Sequence, residues 1–125
     1  MPKDVILVVD DNETNLKLLR WLLEKKGYEV HTAVDARSAR ISIRALRPKL
    51  VLMDIQLPDT DGLTLTRELK ADPDLRDIPV VAVTSYAMKG DEQRSLDAGC
   101  EGYLTKPIDT RQFPLQIEKY LGKTK

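Results

Sequence analysis

Val5-Ile6-Leu7-Val8-Val9 runs straight into Asp10-Asp11-Asn12, and that junction decides how the rest of the chain is read. An unbroken run of Val, Ile and Leu with no polar alternation suits a strand covered on both faces. Such a strand implies parallel neighbours, whose crossover connections place helices above and below the sheet. The stretches that follow fit. Leu16, Leu19 and Leu23 recur at helical spacing, Leu22 widens the stripe, and Gly27 supplies a stop signal. Tyr28 to Ala33 alternates like an outer strand. Ala36, Ala39, Ile43 and Leu46 mark a second amphipathic helix, opened by Asp35 as a cap and ended before Pro48.

The second half repeats the pattern. Leu50 to Met53 reads as a buried strand, and Gly62 to Lys70 as a helix with Leu63, Leu65 and Leu69 on its apolar side. Pro79 opens the strand Val80-Val81-Ala82-Val83. A weaker helix, interrupted by Gly90, is expected from about Ala87 to Ala98. Gly102-Tyr103-Leu104 is a short strand, and Phe113, Ile117, Tyr120 and Leu121 line a last helix. Pro114 fits there only within the first turn, where backbone N–H groups lack helical partners. Five strands alternate with five helices, without repeat, linker or low-complexity segment. Right-handed crossovers then place helices on both faces of one parallel sheet.

Composition bounds the function. The chain has 125 residues, 42% of them apolar and 32% charged, enough for one domain with a real core and too apolar for a disordered tail. Twenty Lys+Arg balance twenty Asp+Glu, so net charge is zero. Nonspecific nucleic-acid or membrane-surface binding relies on a basic excess that is missing here. The Val5–Val9 run is too short to span a bilayer, and the Met1-Pro2-Lys3-Asp4 start has no signal-peptide pattern. A lone Cys100 forms no internal disulfide and no Cys-rich metal site. The expectation is a cytoplasmic protein with no direct nucleic-acid or membrane partner, one domain over residues 1–125.

In open parallel sheets, function gathers outside the carboxyl ends of the strands. Strand one ends in Asp10-Asp11, strand three in Asp54, strand four in Thr84-Ser85, and strand five runs into Thr105-Lys106-Pro107. Strand two ends blandly in Ala33-Val34 and is assigned to an edge. Order 2-1-3-4-5 satisfies this and brings all four polar ends together. That order is the flavodoxin-like arrangement of a (βα)5 three-layer α/β sandwich.

Three carboxylates would then share one rim. Like charges about 4 Å apart repel by roughly 4 kcal/mol at an effective dielectric near 20. Protonation, Lys106 or a cation must offset this, and an oxygen-only donor set suits a hard ion such as Mg²⁺. Each residue also has a plain reading. Asp10 or Asp11 suits an N-cap of the first helix, Thr84 or Ser85 a cap of the fourth, and Lys106 a solvated lysine. Asp54 follows Leu50-Val51-Leu52-Met53 directly and caps nothing obvious. The weight lies in the coincidence of all four strand ends.

These residues resemble the receiver domain of two-component response regulators. The likeness runs from about Val5 to Leu121, with motifs in order: Val8-Val9-Asp10-Asp11-Asn12, Leu52-Met53-Asp54-Ile55, Leu57-Pro58-Asp59-Thr60-Asp61-Gly62, Val83-Thr84-Ser85 and Tyr103-Leu104-Thr105-Lys106-Pro107. Ala87-Met88-Lys89-Gly90-Asp91 and Asp97-Ala98-Gly99-Cys100 look most like stand-alone cell-fate regulators and receivers attached to hybrid kinases. The resemblance implies that Asp54 accepts a phosphoryl group from a sensor histidine kinase or a histidine phosphotransfer protein. It further implies that Asp10, Asp11, Asp54 and the Gln56 backbone carbonyl hold Mg²⁺, directly or through water. Lys106 would pair with the phosphate, and the Thr84 hydroxyl would hydrogen-bond it. The Lys106–Pro107 peptide is usually cis in the family. The switch would be Thr84 with Tyr103, the aromatic of the fifth strand, read out by a downstream protein on the α4-β5-α5 face. The chain would be a monomer or a weak phosphorylation-linked homodimer, and no enzyme beyond its own phosphorylation and dephosphorylation.

Gln56 and Tyr86 stand two residues after Asp54 and Thr84, flanking the expected path of a hydrolytic water. Tyr86 is expected to shield the phosphoryl group and slow its loss. His31 reads as structural. Trp21 lies about 15 Å along the first helix from Asp11, too far to report metal binding by fluorescence. Three rival readings are weaker. A phosphatase of similar fold typically carries a second Asp two residues after the nucleophile, where this chain has Gln56. A flavin or nucleotide site would be repelled by Asp10-Asp11, and no phosphate-binding glycine loop occurs. A receiver serving only as an interaction module would not need Asp54, Thr84 and Lys106 intact. No output domain is expected after Leu121, and Met1 suits a stand-alone receiver acting through protein partners.

Overall fold

The computed structural model describes residues 3–84 and 90–122. Ten elements alternate: β1 (Val5–Val9), α1 (Glu13–Lys25), β2 (Glu29–Ala33), α2 (Ala36–Leu46), β3 (Leu50–Asp54), α3 (Gly62–Ala71), β4 (Val80–Thr84), α4 (Asp91–Asp97), β5 (Gly102–Thr105) and α5 (Phe113–Tyr120). All strand pairings are parallel, and the sheet order is β2-β1-β3-β4-β5. The expected order is therefore the observed one, with β2 and β5 at the edges.

Side chains of the central strands alternate between two hydrophobic layers, as the pleat requires. Ile6, Val8, Leu50, Leu52, Val81, Val83 and Leu104 point to the layer under α1 and α5, where Leu19, Leu23, Phe113 and Ile117 meet them. Leu7, Val9, Val51, Met53, Val80 and Ala82 point the other way, against Ala39 and Ile43 of α2 and Leu63, Leu65 and Leu69 of α3. Both faces of β1, β3 and β4 are thus dry, which is why these strands show no polar alternation.

The helix starts separate two kinds of expectation. Asp35 caps α2, accepting the Ser38 N–H at 2.8 Å. The cap of α1 is neither Asp10 nor Asp11 but Asn12, whose side chain accepts the Asn15 N–H at 3.1 Å. Both aspartates are thereby released from capping. Within the described residues α4 starts after Gly90, which holds φ +91°, a left-handed conformation that glycine adopts without a Cβ penalty. The expected helix start at Ala87 lies outside the described residues, as do all of residues 85–89, including Ser85 and Tyr86. Pro114 falls in the first turn of α5, the one place where its missing N–H costs nothing. His31 pairs with Glu29 at 2.7 Å on the edge strand, and Trp21 stacks under the Lys25 ammonium on the exposed side of α1. Neither touches the carboxyl end of the sheet.

Candidate functional site

Parallel register places the polar residues. Asp54 pairs with Val83, and Thr84 pairs with Thr105, so the β3, β4 and β5 termini stand side by side. Backbone bonds fix the exits. Asp10 donates its N–H to the Ala33 carbonyl at 3.0 Å, Ile55 to Val83 at 3.2 Å, and Lys106 to Thr84 at 2.8 Å. The Lys106–Pro107 peptide is cis.

Asp10, Asp11 and Asp54 converge: one carboxylate oxygen from each lies within 4.8 Å of the others. Asp10 and Asp54 are buried and Asp11 is exposed. The Lys106 ammonium reaches over this group from β5, 2.7 Å from Asp10 Oδ2 and 3.3 Å from Asp54 Oδ2. Two further bonds orient the carboxylates, since Asp10 Oδ1 accepts the Asn12 N–H at 2.9 Å and Asp54 Oδ1 accepts the Gln56 N–H at 3.1 Å. Three acids meet one ammonium, so the cluster keeps an excess of negative charge. Burial, helped by the Asp10 charge, pushes the Asp54 carboxyl up to about 6, against the pull of Lys106 and the Gln56 N–H. For Lys106, burial works against the charge. The Asp10 hydrogen bond and the Asp54 charge outweigh it and hold the ammonium above the usual lysine range.

The donor set fits a hard cation. Its oxygens are close enough to share one ion, no His or Cys among the described residues joins the group, and the surplus charge needs a counter-charge. Asp10, Asp11 and Asp54 are the carboxylates that could hold such an ion, and the Gln56 N–H binds the Asp54 carboxylate beside them.

Beside Asp54 opens a cleft of about 390 Å³ lined by Ile55, Gln56, Leu57, Asp61, Thr84, Asp91 and Arg94. Thr84 lines it from the end of β4. Arg94 of α4 closes the far wall, 3.0 Å from Asp91 and 3.9 Å from Asp61. Tyr103 stands on the other side of β4, half-buried against the α2–α3 layer. It lines a second cleft of about 380 Å³ with Glu92, Pro107, Ile108, Asp109 and Gln112 between α4 and α5. Burial, then the Asp91 and Glu92 charges, raise its phenol above the usual tyrosine range.

Asp59 and Asp61 of the β3–α3 loop enter the sequence reading only as members of a motif, with no role assigned to either. Asp61 caps α3, accepting the Leu63 N–H at 2.7 Å. Asp59 reaches back to α2, accepting the N–H groups of Ala36 at 2.9 Å and Arg37 at 3.0 Å. Asp61 directly precedes Gly62, a visible cap position. Nothing local announces Asp59, because its partners lie more than twenty residues earlier.

A family model described as the response regulator receiver domain matches residues 6–118. The polar-differentiation response regulator DivK of Brucella anthropi is 51% identical over 122 residues, 98% of each chain. A CheY-like response regulator receiver domain protein from Methanospirillum hungatei superposes with a TM-score of 0.90 at 31% identity, over 98% of this chain and 96% of that one. The receiver domain of sensor histidine kinase PA1611 from Pseudomonas aeruginosa superposes with a TM-score of 0.88 at 33% identity, over 97% and 99%. That structure holds a magnesium ion coordinated in its active-site cleft.

Proposed function

The chain belongs to the response regulator receiver domain family of two-component signalling, and from that premise we propose that it is a phosphoryl-accepting switch whose acceptor is Asp54. The observation that carries this reading is the Lys106 ammonium bridging Asp10 and Asp54 at 2.7 and 3.3 Å above a cluster of three carboxylates. A buried acid at a strand end, paired with one lysine and left beside surplus negative charge, is poorly explained as a stabilising device. It suits a nucleophile that waits for a cation.

In the forward step an Asp54 carboxylate oxygen attacks the phosphorus of a phosphohistidine. The P–N bond breaks, the imidazole leaves with the electron pair and takes up a proton, and an acyl phosphate remains on Asp54. Asp10, Asp11, Asp54 and the Gln56 carbonyl would hold Mg²⁺, which when bound neutralises charge on the phosphoryl oxygens. Lys106 trades its carboxylate partner for a phosphoryl oxygen, keeping its charge matched throughout. Thr84 supplies a hydroxyl from the neighbouring strand end. Water later cleaves the acyl phosphate, regenerating the carboxylate and releasing inorganic phosphate.

The donor is a sensor histidine kinase or a histidine phosphotransfer protein, and the site of action is the cytoplasm. Phosphorylation adds about −1.5 to −2 charges. Thr84 moves toward them, Tyr103 turns into the vacated space, and the α4-β5-α5 face changes for a downstream protein or a weak homodimer. Moving such a switch from 1:99 to 99:1 needs about 5.5 kcal/mol. One charged hydrogen bond supplies about 1.5–3 kcal/mol, so Thr84 acts together with Lys106, the cation or the partner. Residues 1–125 are read as one such receiver.

Intact mass after incubation with acetyl phosphate and Mg²⁺ tests this. One added phosphoryl group is expected, absent in Asp54→Asn and absent in EDTA. A gain that survives Asp54→Asn would move the acceptor elsewhere and defeat the assignment.

A further inference from the structure

The β3–α3 loop is pinned in two places. At its base Gly62 donates its N–H to the Ile55 carbonyl at 2.7 Å, and Gln56 and Asp61 form an isolated antiparallel bridge. At its tip the Asp59 carboxylate spans to the first turn of α2 and accepts two N–H groups, from Ala36 at 2.9 Å and Arg37 at 3.0 Å. Between these points the loop is held by Leu57, which packs on the α2–α3 layer, while Pro58 and Asp59 face solvent.

Asp59 does more than complete the cap of α2. Asp35 is the local cap, accepting the Ser38 N–H, and Asp59 takes the two first-turn amides that Asp35 leaves, the part-buried one of Ala36 and the exposed one of Arg37. Asp59 thereby joins two segments at the carboxyl end of the sheet. One is the β2–α2 connection, which follows Ala33, the β2 residue whose carbonyl accepts the Asp10 N–H. The other is the β3–α3 loop, which carries Gln56. A two-pronged carboxylate facing two amides fixes direction as well as distance, and the partial positive charge of a helix N-terminus favours its ionised form. The two amides, Ala36 first, hold the Asp59 carboxyl below the usual carboxylate range, with Arg40 adding to the effect.

We infer that Asp59 is a positioning residue for the divalent-cation site: by tying the loop tip to α2 it holds the Gln56 backbone against Asp54 and Asp10. The inference rests on the reading of that cluster as a Mg²⁺ site. Asp59 itself touches no cation and donates no ligand. Its effect passes through the loop, as the outer partners of metal ligands act by orienting them.

The test compares Asp59→Ala and Asp59→Asn with Arg44→Ala, which removes a different α2–α3 tie, the 3.0 Å pair of Arg44 with Asp72 remote from the site. Mg²⁺ affinity is read by calorimetric titration, stability by urea unfolding in EDTA, and loop order by amide hydrogen exchange at Gln56 in metal-free protein. Asp59→Ala should weaken Mg²⁺ binding about 10-fold, the lower end of what loss of an outer partner costs, and should speed exchange at Gln56. Asp59→Asn, which keeps one acceptor oxygen, should fall between. Arg44→Ala should lose stability with Mg²⁺ affinity unchanged. Affinity within two-fold of the parent in Asp59→Ala would overturn the inference, as would an equal loss in Arg44→Ala. Equal losses in both Asp59 variants that vanish at high salt would also overturn it, showing a through-space charge effect. If the parent protein binds no Mg²⁺, the proposed function fails and this inference with it. A parent that binds beside unaltered variants defeats this inference alone.

Discussion

Gly62 opens α3 directly against the backbone of Asp54: the place a Cβ would occupy at residue 62 is already filled by the Asp54 carbonyl oxygen. The first residue of a helix and the last residue of a buried strand are therefore in backbone contact, closed by the 2.7 Å bond from Gly62 N–H to the Ile55 carbonyl. The candidate acceptor has its main chain clamped by the helix start while its side chain joins the acidic cluster.

A methyl group at residue 62 should break that clamp. Overpacking against rigid backbone typically costs about 1–3 kcal/mol, and Gly62→Ala should lose that much in urea unfolding. Because the displaced atoms belong to Asp54, phosphoryl uptake from acetyl phosphate should fall as well. Unchanged stability would mean that α3 tilts away freely, and the clamp would have no mechanical meaning.

Asp54 should be a stability liability in metal-free protein at neutral pH. Its carboxyl is raised from 3.8 to about 6 on folding, so the folded state binds the proton more tightly than the unfolded state. The stability this contributes is full below pH 4 and is lost as pH rises through about 6. Asp54→Asn should therefore be more stable than the parent above pH 7 in EDTA, by on the order of 1–3 kcal/mol. The gap should close toward pH 4. Thermal unfolding across that range checks the sign, and a gap that widens on acidification would refute it.

Lys106 should matter most where both acids are ionised. Removing one partner of a buried pair typically costs about 3–5 kcal/mol because the remaining charge is stranded. Lys106→Met should lose roughly that amount at pH 8 in EDTA, less at pH 4.5, and recover part of it on adding Mg²⁺. A loss independent of pH would assign the effect to packing of the lysine stem.

Cys100 should resist thiol reagents in the folded state. It is a buried residue of the α4–β5 connection, and burial pushes its thiol up to about 11 against a hydrogen bond with Thr66. Labelling with a chromogenic disulfide at pH 8 should proceed only as fast as the protein opens, and urea should release it. Rapid labelling of native protein would contradict the packing of that corner.

Much of this was legible in the residues because period and position carry it. The apolar runs at Val5–Val9, Leu50–Met53 and Val80–Val83 left no choice but buried parallel strands, and a bland ending at Ala33-Val34 put β2 at an edge. Once the order is set, Asp10, Asp11, Asp54, Thr84 and Lys106 share one end of the sheet. What escaped was set by competition or by distance. Asp10, Asp11 and Asn12 are all good cap formers, and only the chain's path into α1 selects Asn12. The start of α4 turns on the left-handed Gly90, where an isolated glycine reads equally as an interruption. The partners of Asp59 escaped because its bonds cross from a loop to the first turn of a distant helix, where sequence spacing has no period to follow.

The two hydrophobic layers lie on opposite faces of one sheet. The layer under α1 and α5, with Leu19, Leu23, Phe113 and Ile117, is a different set of residues from the one Tyr103 packs against. Energetic changes at residues that share no partners tend to add. A protein engineer seeking a heat-tolerant variant has a place to work beneath α1, where repacking changes none of the residues that Tyr103 packs against.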